Sequence, residues 1–315
     1  MKTNTIIITI IVLCSLTLGS CRDSQKALVQ RAGVLCHYIP DHQLLPEAKE
    51  YMTDDFYQVL DTMFNLEDAE PLAHEWLYYF VTGNGGSMAD FQVTEVNKTD
   101  NSHAVAAISV KQIWEDGSFD PETDIETHTL YMEKQNGVWL MSDFDERKQD
   151  CINYIANYRR EQQLRNTIAQ YLNDSVAIHY SQGEISVPVT IFVAVEEAED
   201  SLHARIYGDF WVFNYNISGD TLLTVSGGNH SGCMYIASQN NRLEVQKFEQ
   251  VQDGALFTPS AKHIFGSHYD IFQNIHSNQD IREEIRTMQL KLFIRHHNLP
   301  LHYYKDYGWE AVRIG

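Results

Sequence analysis

The 315-residue sequence lacks the short motifs that identify common catalytic and nucleotide-binding sites. It has no P-loop, no HExxH pair, no G-x-S-x-G nucleophile elbow and no glycine-rich dinucleotide fingerprint. Cysteine is also scarce: beyond position 21 the sequence has Cys36, Cys151 and Cys233, with no CxxC pair or zinc-knuckle spacing. We therefore predict no metal site and no cofactor. We expect the three thiols to be small buried apolar groups that form at most one disulfide.

Basic residues are few, with 23 Lys and Arg against 43 Asp and Glu, and the formal net charge is −20. This acidity argues against a nucleic-acid partner, because phosphate binding requires clustered Lys and Arg. It also disfavours purely electrostatic docking onto anionic lipid. Hydrophobic residues make up 43% of the chain, enough to fill sizeable cores, and the length suits two domains of ordinary size.

The N-terminus carries Lys2, then an uncharged and mostly apolar run, and then Leu18-Gly19-Ser20-Cys21. A short apolar run with a basic start and a small-residue exit is typical of a secretory signal rather than a membrane-spanning helix. The last four residues resemble the lipobox of bacterial lipoproteins. The resemblance implies that residues 1–20 are a signal peptide and that Cys21 is diacylated and attaches the exported protein to the bilayer. A plain cleaved signal and an uncleaved N-terminal anchor are the alternatives.

The placement of such an anchor depends on the residues that follow Cys21. Arg22-Asp23 does not resemble a strong acidic surface-export signal. We therefore expect an outer-membrane location in the cell envelope and favour its periplasmic face, with the cell surface as the alternative.

In the first half, hydrophobic periodicity changes from 3.6 to 2. The helical spacing predicts helices within residues 24–39, 47–65 and 70–81. The alternating pattern that follows predicts strands within residues 91–96, 104–114, 127–133 and 138–144. A tight hairpin is predicted at Gln135-Asn136-Gly137. Helices followed by an antiparallel meander indicate an α+β arrangement.

Several stretches of this half carry a family resemblance: EWLYYFVTGNGG, DFQVTEV, SVKQIW and NGVWLMSDFDERK. Together they resemble uncharacterised NTF2-like (cystatin-like) domains of exported bacterial lipoproteins, over roughly residues 46–148. The resemblance implies a cone-shaped fold, in which helices pack into a curved antiparallel sheet with a pocket between them. This fold hosts enzymes, binding modules and adaptors alike, so it does not select a function.

The second half begins after a long predicted helix, residues 147–172, and is also predicted to be α+β. Residues 206–215 contain five aromatics and are apolar on both faces, which is typical of a central buried strand. Residues 227–232 are predicted to form a glycine loop, and helices are predicted over 260–265 and 280–295. The segments GDFWVFNYN, GDTL, VSGG, AKHIFG and KDYGW resemble a module of the same lipoprotein group. Whether this half is a second NTF2-like unit stays open.

The resulting domain organisation has five parts. They are a signal peptide (1–20), an anchor and leading helix (21–45), an NTF2-like domain (46–148), a linker helix (149–180) and a C-terminal α+β domain (181–315).

The first candidate site combines His128 with Asp143 and Asp145. His128 alternates with apolar residues on one predicted strand, and the two aspartates end the neighbouring strand. If these faces coincide, burial and a partner charge could bring an imidazole and a carboxylate toward neutral pKa values, as proton transfer requires. The structural alternative, which we favour, is that the aspartates cap the next helix and His128 is a hydrogen-bonded core residue. Trp76, Tyr79 and Trp139 are the candidate binding residues of the cone.

Two weaker candidates lie in the second half. His230 and Cys233 could pair a base with a thiol, but a structural turn is the favoured interpretation. Histidines are abundant toward the C-terminus, where surface positions are favoured over a metal site: His263, His268, His276, His296, His297 and His302. The aromatics there could bind sugars or peptides, or could simply pack the last segment onto the sheet: Tyr303, Tyr304, Tyr307 and Trp309.

The sequence therefore predicts a lipid-anchored envelope protein that binds a small ligand or an envelope protein, or acts as a scaffold, without catalysis. The alternative is a small hydrolase or lyase that uses Asp143 and His128 in the cone.

Overall fold

In a computed structural model of the protein, the described residues are 24–40, 44–66, 87–114, 116–198, 203–239 and 242–314. The predicted helix 70–81, with Trp76 and Tyr79, lies outside these ranges, and so does Cys21. The chain separates into two compact units, Met1–Tyr158 and Arg159–Gly315. Within the described ranges, no helix is both long and apolar enough to cross a bilayer.

The first unit begins with two α-helices separated by a short 3₁₀ turn. Helix α1 covers residues 24–36, the 3₁₀ turn covers Pro46–Glu50, and helix α2 covers Asp54–Phe64. The single helix predicted over 47–65 is therefore wrong. It is interrupted because the Thr53 N–H donates to the Met141 carbonyl (2.8 Å) and the Met141 N–H donates to the Tyr51 carbonyl (2.9 Å). These two bonds attach the chain to a distant strand and divert it from the helical path.

The sheet of the first unit is an antiparallel meander in the order β1-β2-β3-β4, as predicted. Its strands are β1 (Ser87–Lys98), β2 (His103–Ile113), β3 (Ile125–Gln135) and β4 (Val138–Phe144). The predicted hairpin joins β3 to β4, with Asn136 and Gly137 both at positive φ (52° and 85°). Two consecutive positive φ values match the right-handed twist of the flanking strands.

The core of the first unit lies between one face of this sheet and the two helices. Alternate residues of β2 and β3 are buried, so the period-2 pattern correctly identified the inner face. The buried side chains of this core include Leu28, Leu35, Phe56, Leu60, Ala106, Ile108, Leu130 and Met132. At one end, the same inner face continues into polar residues, namely Gln112 on β2 and Glu126 and His128 on β3.

Helix α3 (Arg147–Tyr171) follows β4, and the division between the two units falls inside it. The second unit then forms a seven-stranded mixed sheet, in which all neighbours are antiparallel except β7 and β10. Its strands are β5 (Ile185–Glu197), β6 (His203–Ser218), β7 (Thr221–Asn229), β8 (Gly232–Gln239), β9 (Arg242–Gln250), β10 (Tyr303–Lys305) and β11 (Val312–Arg313). Both units combine helices with a sheet, so the predicted α+β class is confirmed.

Strand β6 is the centre of the second sheet and is buried on both faces over most of its length, as its aromatic content predicted. One face packs against the C-terminal half of α3 through Ile206, Phe210 and Val212. The opposite face carries Tyr207 and Tyr215, which pack against three C-terminal helices and the segments beside them. Those helices are α4 (Phe257–Phe265), α5 (Tyr269–Ser277) and α6 (Gln279–His296).

Three features of the second unit correct the sequence-based expectations. Residues 227–229 belong to β7 rather than to a glycine loop. A Cβ on Gly227 would lie only 2.6 Å from the Val212 carbonyl oxygen, so glycine is needed there for close strand contact. Helix α5 was not predicted, and it fully buries one side chain, Phe272. On α6, helical spacing predicts an inward-facing stripe of Ile281, Ile285, Met288 and Leu292, but this stripe is only half-buried. The buried line consists of Arg286, Leu290 and Ile294.

Candidate functional site

The polar end of the first sheet borders a cavity of about 550 Å³. This volume is within the usual range for small-molecule sites. The lining residues are Gln112, Trp114, Ser118, Phe119, Asp120, Thr123, Asp124 and Glu126. Three of them are carboxylates, two are aromatic and none is basic, so the cavity wall is acidic and partly aromatic.

The loop before β3 is held in shape by Asp124, which is 6% exposed. Its carboxylate accepts hydrogen bonds from the Asp120 N–H (2.6 Å) and the Thr123 hydroxyl (3.1 Å). The hydrogen bond from the Asp120 N–H is the main reason that the pKa of Asp124 lies below its usual range, and the Trp114 side chain contributes to the same shift. Asp124 is thus an ionised structural group, whereas within the described chain the Asp120 carboxylate accepts one hydrogen bond, from the Glu122 N–H to Oδ1.

Glu126 is the carboxylate that connects the cavity to the interior of the unit. Its Oε1 accepts from Gln112 Nε2 (2.9 Å), and its Oε2 lies 3.3 Å from His128 Nε2. That nitrogen is buried and has no hydrogen-bond partner among the described residues, so it lies near Glu126 without a hydrogen bond to it. The Glu126 side chain is 43% exposed, so it can reach a ligand in the cavity.

His128 is fixed on its other side by Asp145. The imidazole Nδ1 lies 2.6 Å from Asp145 Oδ2, and the Thr129 N–H donates to Asp145 Oδ1 (2.6 Å). The ring also stacks on Phe144, with 5.3 Å between centroids. Burial tends to raise the pKa of Asp145, but the hydrogen bonds from His128 and Thr129 hold it below its usual range. Asp145, His128 and Glu126 therefore form a line that ends at the cavity wall.

The turn that presents Asp145 has an unusual backbone. Asp145 and Glu146 both have positive φ (49° and 59°), in the left-handed region that L-residues other than Asn and Asp seldom adopt. Such conformations persist where surrounding contacts hold them, and they concentrate at functional sites. Here Asp145 is held by His128 and by the Thr129 N–H, and Glu146 Oε1 accepts a hydrogen bond from the Tyr131 hydroxyl (3.0 Å).

Asp143 lies apart from this line. Its Oδ1 accepts from the N–H groups of Phe144 (2.7 Å) and Lys148 (2.9 Å), the second of which belongs to the first turn of α3. Burial raises the pKa of Asp143 above its usual range, although these N–H groups oppose the shift. Among the described residues, no hydrogen bond joins Asp143 to His128. The two aspartates therefore differ: Asp143 caps a helix, and Asp145 orients the imidazole.

Of the three candidate binding residues, Trp139 is the one that lies within the described ranges. It is half-buried against the core of the first unit. The Lys98 and Lys134 ammonium groups lie 5.7 and 5.8 Å from the centre of its ring. It is not among the residues that line the cavity.

His230 and Cys233 have separate surroundings. His230 Nε2 lies 2.9 Å from the Tyr180 hydroxyl and its Nδ1 lies 3.0 Å from Gln250 Nε2, while burial lowers its pKa. Cys233 is 1% exposed, and burial raises the pKa of its thiol to about 11. A thiol held in its neutral form is a poor nucleophile.

The C-terminal histidines do not converge. His268 Nε2 contacts Glu196 (3.0 Å), His276 Nδ1 lies 3.3 Å from Asp209, and His297 Nδ1 lies 2.9 Å from the Phe293 carbonyl. In the described part of the chain, no group of three or more His, Cys, Asp or Glu side chains is arranged to hold a metal ion. Of the nearby aromatics, Tyr304 is buried, and Tyr307 and Trp309 are strongly exposed.

Asp209, Ser231 and His276 lie together in the second unit but are not arranged as a nucleophilic triad. The Ser231 hydroxyl lies 2.5 Å from Asp209 Oδ1 and 2.7 Å from Asn229 Oδ1, so it contacts the carboxylate rather than the imidazole. Asp209 is fully buried and also accepts from Trp211 Nε1 (3.2 Å). Asp209 joins β6 to its neighbours at the point where the pairing changes from β8 to β7.

Comparison with family models, with curated proteins and with solved structures gave no match to this chain. The functional interpretation therefore depends on the site itself.

Sequence reasoning identified His128 and Asp145 but not Glu126 or Gln112. A signal was present, because Glu126 stands two positions before His128 and shares its face of β3. The pairing of β2 with β3 then places Gln112 at the same end of that face. A polar end to an otherwise apolar face is the pattern that indicates this site.

Proposed function

We propose that the protein is a lipid-anchored binding protein of the bacterial cell envelope and that its first unit is an NTF2-like fold. In this proposal the acylated Cys21 attaches the protein to the outer membrane. The cavity at the polar end of the first sheet binds a small organic cation without chemical turnover. The observation that carries the proposal is the composition of the cavity wall, with three carboxylates, two aromatic rings and no basic side chain.

Each part of the wall suits a cation. Glu126 and Asp120 offer carboxylate oxygens, and an ammonium group gains most from an ionised acceptor. Trp114 and Phe119 offer ring faces, which attract cations electrostatically. Phe119 already has this kind of contact, because Lys111 Nζ lies 4.0 Å from its ring centre, so one face of that ring is already in use. Gln112 donates to Glu126 Oε1 (2.9 Å) and His128 lies 3.3 Å from its Oε2, so the ligand meets a carboxylate that is already positioned.

The binding proposal is tested with matched cationic and neutral probes. Isothermal titration of the full chain with benzylamine and choline should give saturable binding, whereas benzyl alcohol should bind at least about tenfold more weakly. Glu126→Gln should weaken amine binding about tenfold or more, because it removes a charge-assisted contact. Glu133→Gln, the same change on the same strand but outside the cavity, should leave the affinity unchanged. Equal binding of amines and the alcohol, or no binding of either, would contradict the proposal.

The lipid anchor is tested separately. Mass spectrometry of the purified protein should show an N-terminal Cys21 carrying acyl chains. The Cys21→Ala variant should no longer be found in the membrane fraction. Protease treatment of intact cells distinguishes the periplasmic face, where the protein is protected, from the cell surface. An unmodified Cys21 would remove this part of the proposal without affecting ligand binding.

The line from Asp145 through His128 to Glu126 favours a second candidate function, acid–base catalysis by a small hydrolase or lyase. In that case Glu126 takes a proton from the substrate or from water, and His128 and Asp145 are positioning residues. A turnover found by substrate screening should be lost in Glu126→Gln. It should change its pH profile in Asp145→Asn, because the imidazole then loses its charged partner. A turnover that survives Glu126→Gln would contradict this function.

A further inference from the structure

A second cavity, of about 220 Å³, lies within the second unit between β6 and α6. Its lining residues are Trp211, Phe213, Arg282, Glu283, Arg286 and Asp306, with Val189 from β5. Trp211 and Phe213 lie on the same face of β6 and their rings are nearly parallel, with 5.8 Å between centroids and 5° between planes. One wall of the cavity is therefore aromatic, and the other carries charged side chains of α6.

Arg286 has no capacity left for a ligand. Its guanidinium donates two hydrogen bonds to Asp306 (2.8 Å each), one to the Tyr215 hydroxyl (3.0 Å) and one to the Thr224 hydroxyl (3.1 Å). A longer contact joins Nη1 to Glu283 Oε2 (3.4 Å). With five donor positions used and 2% of its surface exposed, Arg286 is a structural group whose charge Asp306 neutralises.

Arg282, one turn earlier on the same helix, is different. Within the described chain its guanidinium makes one hydrogen bond, from Nη1 to the His276 carbonyl (3.2 Å), and forms no ion pair. It lies over the Trp211 ring, 5.2 Å from the centre. A guanidinium has five N–H donors, so four of the Arg282 donors have no hydrogen-bond partner within the described chain, and the residue lines the cavity.

Glu283 supplies the complementary group. Its Oε2 accepts from the Tyr304 hydroxyl (2.9 Å) and lies near Arg286, whereas no hydrogen bond to Oε1 is formed within the described chain. The Glu283 side chain is 41% exposed, so solvent and solutes reach it. The cavity thus presents one unused cationic group and one unused carboxylate oxygen, beside an aromatic wall.

We propose that this cavity binds a small zwitterion of the α-amino acid class. Its carboxylate accepts from Arg282, its ammonium group donates to Glu283, and its apolar side chain contacts Trp211 and Phe213. A simple anion would meet the Glu283 carboxylate, and a simple cation would meet the Arg282 guanidinium. Only a ligand with both charges satisfies both groups. The volume, below that of sites for drug-sized ligands, restricts the ligand to a small molecule.

The test compares three forms of one amino acid on the full chain. Isothermal titration with L-leucine should give saturable binding accompanied by a change in tryptophan fluorescence, because Trp211 lines the cavity. N-acetyl-L-leucine lacks the ammonium group and L-leucinamide lacks the carboxylate. Each should bind at least about tenfold more weakly, since one hydrogen bond between two charged groups is lost.

Variants then assign the binding to this cavity. Arg282→Gln should weaken leucine binding about tenfold or more, Arg282→Lys should retain part of the affinity, and Trp211→Phe should remove the fluorescence change. Lys291→Gln removes one positive charge from an exposed position of the same helix and should have no effect. Equal affinity for the three probes, absence of leucine binding at millimolar concentration, or leucine binding unaffected by Arg282→Gln would overturn the proposal.

Discussion

Arg286 of the second unit and His128 of the first are both buried basic side chains that contact carboxylates, but they use their hydrogen-bonding capacity differently. Arg286 donates to four side chains and is sandwiched by aromatic rings, with Phe213 and Tyr304 centroids at 4.0 and 4.4 Å. Among the described residues the His128 imidazole makes one hydrogen bond, to Asp145, and its second nitrogen lies beside the partly exposed carboxylate of Glu126. The first arrangement is closed because every donor of Arg286 is used, although Arg286 also lines a cavity, whereas the second ends at the partly exposed carboxylate of Glu126 in a cavity wall.

The comparison teaches that buried charge does not by itself indicate a functional site. The informative property is the hydrogen-bonding capacity that remains unused next to accessible space. By this criterion Glu126 and Arg282 are functional candidates, and Asp209 and Arg286 are structural.

The largest expected effect is on Arg286. Arg286→Leu should lower the free energy of unfolding by about 3–5 kcal/mol, because the substitution leaves Asp306 without its buried partner. Arg282→Leu, the matched change on the same helix, should cost less than about 1.5 kcal/mol, because one hydrogen bond is lost. Urea denaturation of the full chain measures both. Similar losses for the two variants would contradict the distinction between a closed cluster and an open one.

An intermediate effect is expected for His128. His128→Leu should cost about 1–3 kcal/mol, because Asp145 loses the hydrogen bond that offsets its burial. Met132→Leu, on the same face of the same strand, should cost less than about 1.5 kcal/mol. A gain in stability for His128→Leu would contradict this expectation. It would show that the contact between His128 and Asp145, and the positive φ angles beside it, lower the stability of the fold.

A smaller effect is expected in the dependence of stability on pH, with opposite signs for two aspartates. The Arg286 hydrogen bond lowers the pKa of Asp306, so its contribution is present above the ordinary carboxyl pKa of about 3.9 and is lost as pH falls toward the lower folded value. Burial raises the pKa of Asp143, so its contribution is greatest below that ordinary value and is lost as pH rises through the folded value.

Denaturation of the wild type and of each Asn variant, at neutral and acidic pH, measures these two slopes. The stability advantage of the wild type over Asp306→Asn should shrink on acidification. On acidification, the stability of the wild type relative to Asp143→Asn should increase. Parallel slopes would show that the two carboxylates are not in contrasting surroundings.

The smallest expected effect is on the three described thiols. Burial raises the pKa of Cys36 and of Cys151 to about 12 and that of Cys233 to about 11. Folded protein treated with iodoacetamide near neutral pH should therefore remain unmodified at all three positions, as read by mass spectrometry, and urea should make them reactive. Rapid modification of Cys233 alone would reopen a reactive role for it.

Much of the fold was predictable because its signals are local. The alternation in β2 and β3, the hairpin at Asn136-Gly137 and the aromatic run of β6 each depend on neighbouring residues. The wrong predictions are at positions whose structure depends on contacts with residues far away in the sequence. The break at Tyr51–Thr53 depends on hydrogen bonds to Met141, and Gly227 of β7 is required by the backbone of β6. Helix α5 is only nine residues long, so its periodic pattern extends over fewer than three turns.

The candidate sites divide in the same way. His128 and Asp145 were identifiable from strand alternation, but Asp143 and Asp145 are two residues apart and could not be told apart by spacing. Their roles separate because the backbone turns at positive φ after Asp143, which directs one carboxylate to a helix N-terminus and the other to an imidazole.

The sequence by itself determined the α+β class, the order of most helices and strands and the inner faces of the first sheet, since hydrophobic periodicity records which side of an element is buried. Only the tertiary structure decided which polar residues are satisfied and which face open space. That outcome depends on strand register and helix packing, which bring Gln112 to Glu126 and Arg286 to Asp306. Hydrogen bonding acts over about 3 Å, so residues far apart in the chain become partners only once the fold has placed them.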